Sequence, residues 1–189
     1  MKRFIVIFII TLLSLPGFSQ ISPVIKKFKN DTIVWNADTV LSFDDFTGKL
    51  KKRALGMTVT TIFLYNKEVD GQLRFYVEAI FIKSKSFIEK TSEYVLKHEQ
   101  LHFDICELFA RKLRQKIAQK DFKKVKNIGE VINNMYQRIF KEFEAMQIKY
   151  DSDTEHGRNA AKQKVWEDNI ALQLKDLGEF SSTEVNTVR

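Results

Sequence analysis

From Ser92 to Gln119 the chain places apolar residues at offsets of three and four, among them Tyr94, Leu101, Ile105, Leu108 and Phe109. That period is what a helix needs to bury one face, so the stretch predicts a long helix that any fold of this chain must be built around. Within it lies Lys97-His98-Glu99-Gln100-Leu101-His102-Phe103-Asp104, an H-E-x-x-H pattern. Residues four apart on a helix lie one turn above each other, so His98 and His102 can offer both imidazoles to one small divalent cation, with Glu99 close beside them. At ~100° per residue the two histidines fall within the apolar stripe, whereas Lys97, Gln100, Asp104, Glu107 and Arg111 fall opposite. A buried polar group with no partner costs on the order of 1–3 kcal/mol, and a shared metal ion satisfies both rings at once. The bland rival is a pair of core histidines that meet by accident; the ligand spacing and the adjacent glutamate weigh against it.

The flanking segments are read in the same way. Phe122, Val125, Ile128, Ile132, Met135, Ile139, Phe143 and Met146 predict a second helix over 122–149, joined through Lys120-Asp121 into an antiparallel hairpin and capped by Asp121. The polar stretch from Tyr150 to Gly157 reads as a loop, and Asn159 to Leu177 as a third helix with Ala160, Gln163, Val165, Trp166, Ile170 and Leu174 on its weaker stripe. Gly178 stops that helix, and 179–189 looks like a loose polar tail. Upstream, 55–65 and 72–83 are rich in Val, Ile, Thr, Phe and Tyr and predict two strands, with Asp70-Gly71 suited to a hairpin turn between them. Thr32–Trp35 and Leu41–Gly48 suggest a further short strand and a turn. The expected fold class is α+β, an N-terminal antiparallel sheet packed against a helical layer that carries the motif.

A chain of 189 residues, 44% of them hydrophobic, supports one domain with a proper core. Its start predicts export: Met1-Lys2-Arg3, an uncharged run from Phe4 to Leu15, then small residues at Gly17 and Ser19 make up a signal peptide over 1–19. The apolar run is shorter than the ~20 residues that a spanning helix needs, so no stable membrane insertion is expected after cleavage. The single domain then covers 20–189, with 20–30 a loosely held leader. Cys106 is the lone cysteine, so no internal disulfide can form, and it reads as a packing residue. Loss of Lys2 and Arg3 would lower the formal charge from +7 to about +5, leaving a basic protein. Its Lys/Arg runs are expected to be solvated faces; no nucleic-acid module is visible, and no nucleic acid is expected as a partner.

Catalytic zinc usually takes three protein ligands and leaves a fourth position open. The third histidine of the chain, His156, follows the helix pair that returns the chain toward the motif, which makes it the first choice as third ligand. A carboxylate is the alternative: Glu142, which borders the second helix's stripe, or Glu144, Asp151, Asp153 or Glu155. Asp104 or Asp151 would suit orientation of a ligand imidazole.

Two segments carry a resemblance to a known family. One is Leu96-Lys97-His98-Glu99-Gln100-Leu101-His102-Phe103-Asp104-Ile105 with Ala110-Arg111-Lys112-Leu113-Arg114; the other is Tyr150-Asp151 with Thr154, His156-Gly157, Asn159, Gln163 and Trp166. In these the chain resembles a family of small exported bacterial proteins catalogued as a domain of unknown function and predicted to be secreted zinc-dependent proteases. The resemblance covers roughly residues 35–166. It implies that His98 and His102 bind Zn²⁺, that Glu99 is the catalytic acid/base and that His156 is the third ligand.

The expected function is therefore a secreted or periplasmic zinc metallopeptidase of zincin-like fold, which hydrolyses peptide bonds through a zinc-bound water activated by Glu99. Tyr150 or Arg158 is placed to supply a further donor to the developing oxyanion. The expected partner is a peptide or protein substrate. The alternative is a non-catalytic zinc-binding envelope protein that keeps the fold.

Overall fold

The computed structural model describes residues 30–49, 55–69, 72–89 and 92–185. The expected signal peptide, the leader as far as residue 29 and the Asp70-Gly71 turn lie outside the described residues.

Strand alternation builds the base of the fold. In β4 (Gln72–Ile82), Phe75, Val77, Ala79 and Phe81 are all buried, while Tyr76, Glu78 and Ile80 between them stay partly exposed. One sheet face is thus covered, as period-2 patterning requires. β3 (Thr60–Val69) runs antiparallel along one edge of β4, from Thr60↔Phe81 to Val69↔Gln72. The other edge is shared by two short strands: β1 (Thr32–Val34) opposite Ile80–Ile82, and β6 (Glu184–Val185) opposite Phe75 and Tyr76. A separate ribbon pairs β2 (Gly56–Met57) with β5 (Phe87–Ile88).

On the covered face lies α1 (Glu93–Ala118), whose N-terminus is capped by the Ser92 hydroxyl accepting from Tyr94 N–H. Its bounds agree with the predicted helix. Its environment does not: the helix is covered on nearly every side, and Glu107 and Arg111, expected on a solvent face, are 1% and 6% exposed. Burial of these charges is possible because they are paired. Glu107 accepts from Arg111 Nε at 2.9 Å and from Arg114 Nη1 at 2.8 Å and Nη2 at 3.1 Å. The remaining guanidinium donors reach backbone carbonyls: Arg114 to Val77 and Phe180, Arg111 to Leu174.

The second helix departs from expectation at both ends. It is α2, Ile128–Asp153, so Phe122 and Val125 pack from a turn and not from the helix. Asn127 sets the start by accepting from Glu130 N–H, while Asp121 accepts from Lys123 N–H within the preceding turn. At the other end the buried stripe of Ile132, Ile139 and Phe143 continues to Tyr150, and Thr154 stops the helix with its hydroxyl donating to the Tyr150 carbonyl. Three residues follow in left-handed conformation, Glu155 (φ 53°), His156 (φ 56°) and Gly157 (φ 74°), before α3 (Ala160–Asp176) starts under an Asn159 cap. α3 matches the predicted third helix. The expected loose tail is a correction as far as Val185: a turn at Gly178–Phe180 leads into β6, and Val185 is buried. The reason is that Arg114 needs the Phe180 carbonyl and β4 has an open edge to fill.

Candidate metal centre

α1 and α2 meet at the motif. His98 and His102, one turn apart on α1, face Asp151 in the last turn of α2, and both Nε2 atoms lie 3.2 Å from the same Asp151 oxygen. The ligand-capable atoms of His98, His102 and Asp151 all fall within 4.8 Å of one another. Asp151 sits here because the helix runs on to Asp153. As a loop residue it would be only one of several carboxylate alternatives.

The same extension carries His156 past the pair. Its side chain is 47% exposed, with Nδ1 3.6 Å from the Asp151 oxygen, beyond hydrogen-bond length. His156, expected as third ligand, thus stands beside Asp151 but outside the set of atoms that lie within 4.8 Å of one another. Glu142, the helical carboxylate alternative, lies elsewhere. It is exposed and lines a groove with Lys116 and Lys120, well along the helix pair from the motif. Asp153 is held by Lys149 and by Trp166 Nε1, and Glu155 accepts from Asn159. Asp104 turns away from the imidazoles, accepting from Trp35 Nε1 at 2.8 Å and Gln100 Nε2 at 3.0 Å; it ties the N-terminal segment to α1.

Tyr150, expected as a donor to the oxyanion, is fully buried, and its hydroxyl donates to the His98 carbonyl at 3.2 Å. Its ring instead stacks on His98 at 4.6 Å and 24°, and meets His102 edge-on at 4.9 Å. Gly157 closes the opposite side of His98. A Cβ there would lie 2.9 Å from the imidazole Cγ, and the φ of +74° independently favours glycine. His98 is thus oriented by packing. The left-handed Glu155 and His156 that shape this turn carry strain of about 1–3 kcal/mol each, of a kind that persists where the surroundings over-determine the backbone.

Glu99 projects from the edge of the pair toward β2. Its carboxylate lies so close to Gly56 that a Cβ there would be 2.3 Å from Oε1, so any larger residue would push the carboxylate out of this position. The side chain is 4% exposed, and Oε2 has no hydrogen-bond partner among the described residues. Burial pushes the Glu99 carboxyl above the usual carboxylate range, against the opposing pull of the His102 and His98 rings. At Asp151 burial acts the same way but is outweighed by hydrogen bonds from His102 and His98, which hold it far below that range. Burial disfavours the His102 cation, yet Asp151, Glu99 and Gln147 raise it to about 9. Two carboxylates facing two imidazoles make a site that attracts positive charge.

The donor set fits a zinc ion. Ligand atoms that sit ~2.0–2.1 Å from a tetrahedral ion lie roughly 3.4 Å apart, close to the two 3.2 Å separations here, and two nitrogens with one carboxylate oxygen are donors zinc accepts. Sequence reading missed Gly56 and Gln147. Gly56 gives no signal without the approach of β2; Gln147 has one, lying four residues before Asp151 on the same helix face.

Fold and site together define an α+β protein with a His-His-Asp cluster between two helices. The model of a family described as "Bacterial protein of unknown function (DUF922)" matches residues 81–157, which run from the end of β4 to Gly157 and contain the whole cluster. Neither the curated proteins nor the solved structures give a match.

Proposed function

We propose that the protein is an exported zinc-dependent metallopeptidase of zincin-like type, with His98, His102 and Asp151 as the zinc ligands and Glu99 as the acid/base. One observation carries the reading: two imidazole nitrogens one helical turn apart converge on a single carboxylate oxygen, with a buried glutamate beside them. When bound, zinc supplies a Lewis acid that polarises the scissile carbonyl and the attacking water. Glu99 would act as the base: Oε2, which has no hydrogen-bond partner among the described residues, accepts a proton from the attacking water as its oxygen bonds to the carbonyl carbon. The same carboxyl then returns the proton to the amine nitrogen as the C–N bond breaks. Tyr150 and Gly157 hold the His98 ring from either side, and Gly56 leaves room for the Glu99 carboxylate. Export rests on the pattern of residues 1–19; among the described residues no helix is long and apolar enough to cross a membrane.

A non-catalytic zinc-binding role is the second reading, and the 4% exposure of Glu99 is the observation that favours it. The two separate on one experiment. Purified protein should carry near-stoichiometric zinc and cleave members of a quenched-fluorescent peptide library. Glu99→Gln should lower cleavage by at least about 10²-fold while the zinc content holds. A wild-type protein that binds zinc but cleaves no peptide in the library would leave the second reading; one that binds no zinc would remove both.

A further inference from the structure

Gln147 faces His102 with both ends of its amide. Its Oε1 pairs with His102 Nδ1, and its Nε2 donates to the His102 backbone carbonyl at 2.9 Å. A backbone carbonyl can only accept, so the nitrogen end of the amide must be the end that faces it. Oε1 is then fixed opposite Nδ1, and because Oε1 can only accept, Nδ1 must be the ring nitrogen that carries the hydrogen. Nε2, 3.2 Å from the Asp151 oxygen, is then the nitrogen whose lone pair a cation takes in place of the hydrogen it otherwise donates to that carboxylate.

We propose that Gln147 is the positioning residue of the metal centre: its clamped amide sets the His102 tautomer and ring direction so that Nε2 is presented to the cation. The inference rests on the metal reading of the site. The two ligand histidines are held by different means. His98 is fixed by Tyr150 and Gly157, and its Nδ1 has no hydrogen-bond partner among the described residues, whereas His102 depends on Gln147. Gln147 and Asp151 lie one turn apart on α2, opposite His102 and His98 one turn apart on α1. A Q-x-x-x-D segment thus reads against H-E-x-x-H across the helix pair, with one helix supplying a ligand together with the group that aims its partner's ligand. Groups in this position are worth 10–100-fold in metal affinity.

The test uses the full-length mature protein with Co²⁺ as probe. The His102 tautomer is read from ring ¹⁵N shifts in metal-free protein at a pH where the ring is neutral, and Co²⁺ affinity is measured by chelator competition. Wild type should show hydrogen on Nδ1. Gln147→Leu should shift the ring toward the Nε2–H form and weaken Co²⁺ binding by about 10–100-fold. Gln147→Glu keeps an acceptor for Nδ1–H but loses the donor to the His102 carbonyl, so it should restore the Nδ1–H form and recover Co²⁺ affinity only in part, which loss of packing alone would not produce. An unchanged tautomer in Gln147→Leu, Co²⁺ affinity equal to wild type in that variant, or failure of Gln147→Glu to restore the Nδ1–H form, overturns the role of Gln147. A wild type that holds Nδ1–H but takes up no Co²⁺ overturns the metal reading instead, and with it the role of Gln147 at a metal centre.

Discussion

At the scale of single residues, the site turns on which side chain joins the two motif histidines. Asp151 is 27% exposed and touches both Nε2 atoms, whereas His156 is half exposed and stands 3.6 Å beyond it. Asp151→Ala should therefore abolish high-affinity zinc binding, and His156→Ala should lower it by less than about tenfold, the range of a group outside the ligand set. Isothermal titration with zinc on the two variants checks this, and the reverse ranking would restore His156 as the ligand. Both variants should still fold, since neither side chain belongs to the hydrophobic core. Added zinc should raise the wild-type melting temperature, because a ligand that binds only the folded state stabilises it by mass action.

The elements explain why the motif helix holds its shape. α1 buries Glu107, Arg111 and Arg114 together, and removing one member of a buried ion pair strands its partners. Arg114→Leu should cost roughly 3–5 kcal/mol, or roughly 6–20 °C in thermal midpoint, as circular dichroism would show. Little change would mean that water reaches Glu107 and replaces the guanidinium. These same residues mark the limit of what the sequence carried. The bounds of α1 and α3 and the pairing of β3 with β4 were legible, because capping residues and periodicity are local signals. That Glu107 and Arg111 are buried was not, since a helical period identifies an apolar stripe but says nothing about whether other elements cover the polar side. α2 shows the converse error. Phe122 and Val125 are at least partly buried and fit its stripe, so periodicity alone extends the helix over them although a turn carries them. At its far end Ser152, Asp153 and Thr154 resemble a loop but close a final helical turn, and this leaves Asp151, in the sequence alone, as one carboxylate among several. His98, Glu99 and His102 were legible because one helix brings them together. The carboxylate that faces them was not, because its place depends on where a second helix ends.

Over the whole molecule, the chain closes around α1 from both directions. Trp35 and Leu41 near the start of the described residues bond to Asp104 and Gln100, and the Phe180 carbonyl near the end caps Arg114. A chain ended after Leu177 should lose at least as much stability as Arg114→Leu, since it removes β6, buried Val185 and an acceptor of Arg114 together. A thermal melt equal to wild type would show that the segment is dispensable. That enclosure leaves the motif turn of α1 to face α2, β2 and the turn after α2, so all the chemistry proposed here has to occur in one place. A crystal structure of the zinc-loaded protein, with anomalous data collected at the zinc edge, tests the central claim most directly. The account predicts one strong peak within bonding distance of His98 Nε2, His102 Nε2 and an Asp151 oxygen. A peak ligated by three histidines without Asp151, or no peak between the helices, would contradict it.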